Sequence, residues 1–471
     1  MSQADFEEHI KQTVNHFKTL RPSVVRIIAN QDADGIAATA ILIKALAREN
    51  LKYVATIVRG VTPRLIEELN HEHYDVYFFL DLGSTTLSVI EKLEKKNIFV
   101  LDHHQPETAG NHIYHLNPYL YDINGTRDLS AAGVTYYFAK MLNEANKAYA
   151  YLAIIGAIGD GQEDKGFWNM NQDIVDNAVT LGTITIEQDL RIFGMQTKPL
   201  HKALEYSTSP YIPNVTGNEK QAIRFLEEQN IKTYEKGRWR KLKDLDQEEI
   251  KRLIIAITTK RIGSDENDEI YGPVYLLNNE TEDSLFKDLR EYSTILNCCA
   301  RLKKYGIGLA ACLGNQKARE EALELHDRYR RDIIESLNWF YNNKGKQGKV
   351  EEGKGYLLIN AEEHIRDHLI GVLCSLISRS NIYDDGTVII GLAHGLDDTT
   401  KISARIAGVN KNNLNMNYIL TTITKPLGLT AGGHSFAAGT SIPQEQQQAF
   451  LIKAREVLIT LQTTENTIKT L

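Results

Sequence analysis

Five aspartates and a pair of histidines have residue types and spacing that suit metal-dependent chemistry. The histidine pair follows an apolar run over residues 98–101 and is preceded by an acid, in the stretch Asp102-His103-His104. The other acids fall in three short stretches, Asp32-Ala33-Asp34-Gly35, Asp81 and Gly159-Asp160-Gly161. Clustered carboxylates repel one another unless cations neutralise them. With imidazole present and no thiolate nearby, such ligands favour Mn²⁺ or Mg²⁺ over structural zinc.

Two divalent ions held by these side chains would suit displacement at phosphorus. Ions about 3.5–4 Å apart activate a water and stabilise both the attacking and the leaving oxygen. A bridging carboxylate usually holds two ions so close, and Asp81 is the best-placed candidate because its strand is expected to be central. The residue types therefore predict a two-metal hydrolytic centre.

The elements that must position these residues alternate between strand and helix. Apolar and β-branched runs predict strands at 23–29, 53–58, 76–80 and 98–101, and helices are predicted at 1–20, 36–47, from 62 onwards and at about 85–95. Near-continuous apolar strands separated by helices indicate a parallel sheet covered on both faces. Ligands of such sheets bind beyond the carboxyl ends of the strands. The acids at 32, 34, 81 and 102 should therefore share one edge of the sheet, and Asp160 should reach it from an apolar segment at 154–158.

Composition limits the class of protein. A length of 471 residues predicts two or three domains, and 42% apolar with 24% charged residues is typical of a soluble globular protein. No apolar run approaches the roughly 20 residues that a membrane helix needs. The net charge of −7 disfavours a general basic coat for nucleic acid, so a polyanion would need a local basic groove or bound cations. Four cysteines without a Cys-x-x-Cys pair, and a polar N-terminus unlike a secretory signal, predict a cytoplasmic location.

The chain changes texture beyond about residue 195. Turn residues and two prolines at 207–217 predict a boundary, and a charged, mostly helical region with a long helix at about 317–341 follows. A loop is predicted at 343–355, and the last part alternates strands and helices and carries a glycine-rich stretch at 432–439. These features predict three domains, at 1–195, 196–345 and 346–471.

In combination, these motifs resemble the DHH phosphoesterase superfamily. The four acidic motifs match in order and spacing, and Ser403-Ala404-Arg405 and the stretch 432–439 resemble the substrate-binding motifs of the DHH-associated domain. The large helical connection is similar to that of RecJ single-strand exonucleases. The segments 210–213 and 217–219 look like the archaeal RecJ branch, which includes a nuclease that associates with the GINS replication complex. The resemblance implies an α/β fold with a parallel-sheet DHH domain, a helical insertion with a connecting helix, and a smaller α/β DHH-associated C-terminal domain.

The resemblance also implies a role for each motif residue. One metal site would use Asp32 and Asp81, and the other would use Asp34, Asp81, His103 and Asp160. Asp102 would orient a ligand, and His104 would contact the scissile phosphate or help to protonate the leaving group. Phosphate would be bound in the C-terminal domain by Ser403, Arg405, Gly432, Gly433 and His434.

One position departs from the family pattern. The first motif usually opens with a histidine two residues before its first aspartate, and Asn30 stands there in this chain. An asparagine carbonyl binds a hard cation more weakly than imidazole does. We therefore expect the first metal site to be looser, more selective for Mn²⁺ over softer ions, or filled only with substrate.

Several motifs have an ordinary structural interpretation when taken alone. Residues 32–35 then favour a surface turn that caps a helix, and residues 432–439 fit a tight turn before a small-residue helix as well as a binding loop. Trp239 would stack a base or, as we favour, anchor the helical insertion. The arginines at 328, 330 and 331 predict a solvated helix face, with contacts to a nucleic-acid backbone as the minor interpretation.

Three functions remain as hypotheses. The first is an exonuclease of DNA replication and repair that uses two Mn²⁺ or Mg²⁺ ions and removes nucleotides from single-stranded DNA, or also from RNA, in a cleft between the sheet domain and the C-terminal domain. Its direction, 5′ to 3′, is implied by the resemblance. The second is a catalytically weak replication scaffold that binds GINS, and the third is a phosphodiesterase of short oligonucleotides or cyclic dinucleotides. The large region from about 200 to 345 argues against the third.

Overall fold

The chain forms two compact units. The computed structural model describes residues 2–107, 113–163, 166–208, 210–261, 270–380, 382–410 and 413–468. The first unit comprises Met1–Thr197 and Tyr271–Asp327, and the second comprises Lys198–Ile270 and Arg328–Leu471. The division into three domains at 1–195, 196–345 and 346–471 stays a prediction.

The first unit contains a parallel α/β layer followed by a helical part. In chain order its elements are α1 Gln3–Leu20, β1 Val24–Asn30, α2 Ala33–Arg48, β2 Lys52–Val58, α3 Pro63–Asn70, β3 Val76–Leu80, α4 Leu87–Ile90, β4 Ile98–Leu101, β5 Ile113–Leu116, α5 Ala131–Leu142, α6 Ala150–Gly159, α7 Asn169–Thr180 and β6 Ile184–Leu190.

The predicted parallel sheet is confirmed. Its five strands run in the order β2-β1-β3-β4-β5, every pair is parallel, and β3 is the central strand. Alternate residues of β3 enter different cores. Phe78 packs with Phe17 and Phe138 on one face, whereas Phe79 joins Leu87 and Val100 on the other. Both faces are covered, which explains why these strands are apolar without alternation.

The helix predicted at about 85–95 is wrong in its length. A 3₁₀ turn at Ser84–Thr86 leads into α4, which ends at Ile90. The side chain of Asn70 then binds the backbone of the following residues. Its Nδ2 donates to the carbonyl of Lys92, and its Oδ1 accepts from the N–H of Glu94. These side-chain bonds replace the helical ones beyond Glu91.

The middle of the chain contributes to both units. The second unit takes α8 Leu200–Glu205, α9 Glu219–Glu228, β7 Tyr234–Glu235, β8 Arg238–Trp239 and α10 Gln247–Lys260. The first unit takes β9 Tyr271–Leu277, α11 Leu289–Arg301 and α12 Tyr305–Cys312. The long helix α13, Gln316–Asn343, passes the boundary between Asp327 and Arg328.

The C-terminal part of the second unit is a mixed α/β layer. Its elements are β10 Val350–Gly353, β11 Tyr356–Asn360, α14 Asp367–Ser378, β12 Val388–His394, β13 Thr399–Ile406, α15 Met416–Thr424, β14 Gly432–Gly433, β15 Ala437–Pro443 and α16 Gln447–Ile468. The sheet order is β10-β11-β12-β13-β15-β14, in which only β11 and β12 pair in parallel. The loop predicted at 343–355 therefore contains an edge strand. The interpretation of residues 432–439 as a turn before a small-residue helix is wrong, because β14 and β15 form a hairpin.

Across the part of the chain that the structure describes, no helix combines the length and the apolar character needed to cross a membrane.

Candidate metal centre

The predicted acidic motifs meet at the carboxyl edge of the parallel sheet. Asn30 ends β1 and Asp32 is the N-cap of α2, while Asp81 follows β3 and Asp102 follows β4. Asp160 is the C-cap of α6, so the segment predicted as an apolar run opening into a loop is a helix that ends at this residue. The structure thus brings together the residues that the sequence assigned to one site.

Asp34 is fully buried at the N-terminus of α5. Its carboxylate accepts hydrogen bonds from the hydroxyl of Ser130 at 2.9 Å and from the N–H groups of Ala131 at 2.7 Å and Ala132 at 3.0 Å. These donors favour the charged form, as anions at helix N-termini are favoured generally. Burial, and then the charge of Asp160, nevertheless raise the pKa of Asp34 to about 7. A cation at this point would resolve that conflict.

Asp81 is buried and stands on a strained backbone. Its φ of +59° lies in the left-handed region, which an aspartate adopts at some cost and which active sites often contain. The Oδ2 atom accepts from Asn30, and the buried Oδ1 atom faces His103 Nε2 at 3.4 Å. Burial and the neighbouring Asp32 hold the pKa of Asp81 well above its usual range.

The ring of His103 is oriented by a buried network on its Nδ1 side. Nδ1 lies 2.6 Å from the carbonyl of Gly125, which also accepts from Gln162 at 2.8 Å. The side chain of Gln162 in turn accepts from Asn171 at 2.7 Å. A carbonyl acceptor requires the proton on Nδ1, so Nε2 is the ring atom that faces the centre and that would bind a cation in place of its own proton.

The Nε2 atom of His103 faces three carboxylates. It lies 2.9 Å from Asp160 Oδ2, 3.4 Å from Asp81 Oδ1 and 4.0 Å from Asp34 Oδ2, so its neighbours at the centre are carboxylates. Burial opposes a charge on His103, but the carboxylates of Asp160 and Asp81 outweigh burial and hold its pKa well above its usual range. A buried imidazole nitrogen that faces three carboxylates, of which Asp34 and Asp81 are themselves buried, fits a shared divalent cation. In the described residues, ligand atoms of Asp34, His103 and Asp160 all lie within 4.8 Å of one another.

Asp102 orients the loop that carries both histidines. It is fully buried, and it accepts from the N–H groups of Ser84 at 2.8 Å and His103 at 2.8 Å. Its Oδ1 also lies 2.8 Å from Nδ1 of His104, whose side chain is 45% exposed. Burial disfavours the charge of Asp102, but the bond and charge of His104 prevail and hold the pKa of Asp102 well below its usual range. The hydrogen bond to Asp102 raises the pKa of His104, which therefore keeps a proton more readily than an ordinary histidine.

Asn30 joins Asp32 to Asp81 through its amide nitrogen. Nδ2 donates to Asp32 Oδ2 at 2.9 Å and to Asp81 Oδ2 at 3.1 Å. The Oδ1 atom, which would be the metal ligand, accepts from the N–H of Gln31 at 2.8 Å. The predicted set Asp32, Asp81 and Asn30 is therefore brought together, but its amide oxygen is turned away from the two acids.

The sequence did not predict the residues that support the loop of His103 and His104 on the side away from the centre. His115 Nε2 lies 2.8 Å from Ser84 Oγ, and Asn117 Nδ2 donates both to Ser84 Oγ and to the carbonyl of His104 at 2.8 Å. The only signal was two polar residues, His115 and Asn117, at the end of the apolar strand β5. Gly125 and Gln162 carried no signal, because their role depends on a contact between distant segments.

The predicted substrate residues lie on adjacent strands of the second unit. Ser403 on β13 is opposite Gly439 on β15, which is opposite Gly432 on β14. Ser403 is buried, whereas Gly432 and the hairpin residues Gly433 and His434 are exposed.

Arg405, Trp239 and Arg330, which the sequence offered as nucleic-acid contacts, each contact other residues of the chain. The guanidinium of Arg405 donates to Ser375 Oγ and to the carbonyl of Ala404. Trp239 packs on the rings of His201 and Tyr234 at 4.2 and 5.3 Å between centroids, and because both rings belong to the predicted insertion, its role as an anchor to a neighbouring part stays a prediction. Arg330 is buried and donates to the carbonyl of Tyr206, so it does not belong to the predicted solvated face, whereas the arginines at 328 and 331 are exposed.

Three family models match the chain in succession. The DHH family, N-terminal domain, matches residues 24–157, the DHH-CID domain matches 192–270, and the DHHA1 domain matches 370–460. The chain belongs to the DHH superfamily, with the RecJ-like arrangement of DHH and DHHA1 domains, and the predicted membership is confirmed.

Individual relatives are similar over nearly the whole chain. An uncharacterized protein of Methanocaldococcus jannaschii is 26% identical over 464 residues, which is 95% of each chain. The exonuclease RecJ bound to manganese has a TM-score of 0.58 at 17% identity, covering 96% of this chain and 94% of that one. CDC45 from Entamoeba histolytica has a TM-score of 0.68 at 13% identity, covering 98% and 99%. At these identities the two structures establish the fold alone.

Proposed function

We propose that this protein is a metal-dependent phosphodiesterase that acts as an exonuclease on single-stranded DNA, and also on RNA, in DNA replication and repair. The observation that carries the proposal is the buried ring nitrogen His103 Nε2, which faces the carboxylates of Asp160, Asp81 and Asp34 at 2.9, 3.4 and 4.0 Å. Buried carboxylates placed so close together raise one another's pKa and are costly to keep charged without a cation. A divalent cation bound by these side chains would offset that cost.

The ligands of the cation are proposed as Asp34, Asp81, His103 and Asp160, with Asp32 and Asp81 at a second ion. Mn²⁺ and Mg²⁺ suit a set of carboxylates with one imidazole, and the RecJ structure of similar fold contains manganese. When bound, the metal supplies a nucleophilic water at neutral pH and stabilises charge on the phosphate.

The chain's own side chains then divide the remaining work. His104 is half-exposed, and its Nδ1 is held by Asp102, so its Nε2 side is available to the scissile phosphate. Its raised pKa suits a group that binds a phosphate oxygen or gives a proton to the leaving oxygen. Asp102 is a positioning residue, because it contacts the histidines and not the reacting atoms.

Substrate binding is proposed for the second unit. The exposed hairpin residues Gly432 and Gly433 carry no side chain, so a sugar-phosphate backbone can approach their N–H groups closely. Ser403, Arg405 and His434 would add a hydroxyl, a guanidinium and an imidazole to this surface. A local set of donors is needed because the chain as a whole has a net charge of −7. The direction 5′ to 3′ is taken from the resemblance to RecJ enzymes.

The test is hydrolysis of a panel of substrates with Mn²⁺ or Mg²⁺. The panel contains single-stranded DNA and RNA labelled at the 5′ or 3′ end, dinucleotides and cyclic dinucleotides. We expect labelled DNA to be shortened by the wild type and not by Asp102→Ala with His103→Ala. Hydrolysis confined to dinucleotides or cyclic dinucleotides would replace this proposal by a small-substrate phosphodiesterase, and equal inertness of both proteins would refute it.

A replication scaffold that binds GINS is the second candidate function. The similarity of fold to CDC45 over 98% of this chain favours it. It does not require an imidazole set among buried carboxylates at His103, which is why we place it second. A scaffold would bind purified GINS equally well as the wild type and as the Asp102→Ala, His103→Ala variant, and neither protein would hydrolyse the panel.

A further inference from the structure

We propose that Asn30 closes the Asp32–Asp81 pair to a cation in the substrate-free chain. The chain then binds one divalent ion tightly, at His103, and takes up the second only together with a phosphate group. The inference rests on the proposed function for the metal centre, but it concerns the order in which ions bind and not the reaction.

The atom of Asn30 that lies between the two acids is its amide nitrogen. An amide nitrogen has no lone pair for a cation, and both of its protons are used, at 2.9 Å to Asp32 Oδ2 and at 3.1 Å to Asp81 Oδ2. Amide orientation follows from the hydrogen-bond network. If the amide of Asn30 were turned over, its NH₂ group would face the N–H of Gln31, and its oxygen would face two carboxylate oxygens. The orientation with nitrogen towards the acids is therefore the favoured one without a cation.

The backbone restricts how Asn30 can respond. Gly35 in the first turn of α2 lies so close that a Cβ atom there would be 2.3 Å from the carbonyl oxygen of Asn30. The main chain of Asn30 is thus confined, and only its side-chain torsions can bring Oδ1 to the acids. Such a rotation gives up two hydrogen bonds to carboxylates and one from Gln31.

The two halves of the centre therefore differ in how readily they can bind a cation. On the His103 side, the ring nitrogen Nε2 faces three carboxylates that can act as ligands together with it. On the Asn30 side, Asp32 Oδ1 accepts from the N–H of Gly35 at 3.0 Å and Oδ2 accepts from Asn30. Among the described residues, the groups of three or more metal-ligating side chains include Asp81 but not Asp32.

A phosphate group supplies what the second site lacks. The carboxylates of Asp32 and Asp81 and one amide oxygen are fewer ligands than a six-coordinate hard cation needs. When the amide of Asn30 turns, the two carboxylates also lose the hydrogen bonds that its nitrogen donated. Anionic phosphate oxygens are preferred ligands of Mn²⁺ and Mg²⁺, so their arrival offsets the hydrogen bonds that Asn30 loses.

The experiment counts bound Mn²⁺ by calorimetric titration and by elemental analysis, with electron paramagnetic resonance to detect coupled ion pairs. The wild type should bind one ion per chain alone and two in the presence of thymidine 5′-monophosphate. Asn30→His and the isosteric Asn30→Asp should each bind two ions without the nucleotide, with the second-site dissociation constant lowered by at least about 10-fold. Asn342→His, at an exposed position of α13, is the matched control and should behave as wild type.

The outcomes separate this inference from the proposed function. Two ions of similar affinity in the nucleotide-free wild type, or an unchanged single ion in both Asn30 variants, would overturn the inference and leave the phosphodiesterase intact. Absence of any bound ion in the wild type would overturn both. Circular dichroism of Asn30→Asp shows whether the variant is folded, and its equal size keeps the comparison valid if Asn30→His does not fold.

Discussion

Asp34 and Asp102 are both fully buried, yet their surroundings act on their charge in opposite directions. Asp102 lies beside His103 and His104, and these partners outweigh burial and keep its pKa low. Asp34 receives three hydrogen bonds, but burial and Asp160 raise its pKa to about 7. Asp102 is charged without a cation and anchors the histidine loop. The other needs a cation, which is the property expected of a ligand.

Replacing Asp102 by Asn separates anchoring from metal binding. The variant keeps the size of the side chain but loses the charge that holds His104, so kcat should fall about 10- to 100-fold while the dissociation constant of Mn²⁺ changes little. Asp173→Asn on α7 is the control and should keep full activity. A parallel loss of Mn²⁺ affinity and kcat in Asp102→Asn would show that Asp102 is a ligand instead.

His115 makes the stability of the first unit depend on pH. Burial lowers the pKa of His115 to about 4, so the ring is neutral in the folded chain at neutral pH. The unfolded chain takes up a proton below a pKa of about 6.5, and the stability that His115 contributes is therefore complete above that pH and is lost as the pH falls towards 4.

Urea unfolding of His115→Gln between pH about 7.5 and about 4.5 tests this pH dependence of stability. The variant should lose less stability than the wild type over this range, although it starts from a lower value because the contact with Ser84 changes. His73→Gln, at an exposed position, should follow the wild type. Equal pH dependence in all three proteins would contradict a neutral buried His115.

At the scale of elements, the centre is built by helices that approach one another closely. α6 packs against α2 and α5 through Gly156, where a Cβ atom would lie 2.2 Å from Asp34 Oδ1 and 2.6 Å from the Cβ of Ala132. A glycine in the middle of a helix costs roughly 0.5–1 kcal/mol relative to alanine. The close approach of Asp34 explains why this cost is accepted.

A methyl group at Gly156 should displace the acid. Gly156→Ala is expected to destabilise the fold by about 1–3 kcal/mol through overpacking and to weaken Mn²⁺ binding, as measured by denaturant unfolding and by titration. Gly306→Ala is the matched change on α12, where an added Cβ meets no atom within 4 Å, and it should be neutral or slightly stabilising. Equal behaviour of the two variants would show that the α6 contact does not constrain the centre.

The sequence was most informative where one short pattern decides the structure. The strands before Asp32, Asp81 and Asp102 were predictable from their apolar runs, and the parallel arrangement then placed these acids at one edge. Local patterns failed where distant atoms compete. The helix after Ser84 is shortened by the side chain of Asn70, and an apolar run such as 154–158 does not distinguish a helix from a strand.

The hydrogen-bond partners of the site residues were beyond sequence reasoning. The bond from His103 to Gly125 and the inverted amide of Asn30 depend on the tertiary positions of several segments. The residue types marked Asn30 as unusual, but only the structure reveals which atom of its amide faces the acids.

At the scale of the whole molecule, the metal centre and the predicted phosphate-binding strands belong to different compact units. The first unit holds the DHH match, and the second holds the DHHA1 match with Arg405 and the Gly432–Gly433 hairpin. This separation predicts that substrate binding can be weakened without loss of the divalent ion at His103.

Arg405→Ala tests that independence. Loss of the guanidinium should raise KM for single-stranded DNA by about 10-fold or more, since charge-assisted bonds to phosphate are among the stronger polar contacts, with little change in Mn²⁺ affinity. Arg224→Ala, on the exposed side of α9, controls for loss of a positive charge in the same unit. An unchanged KM in Arg405→Ala would remove this residue from the substrate site.

We propose that the side chains around His103 hold a divalent ion and that the protein hydrolyses phosphodiesters with its help. The most direct measurement is the Mn²⁺-dependent rate of shortening of end-labelled single-stranded DNA by the wild type, by His103→Gln and by the exposed control His73→Gln. We expect equal, metal-dependent rates for the wild type and His73→Gln and a loss of at least about 100-fold for His103→Gln. Equal rates for all three proteins, or no hydrolysis by the wild type at any Mn²⁺ concentration, would contradict it.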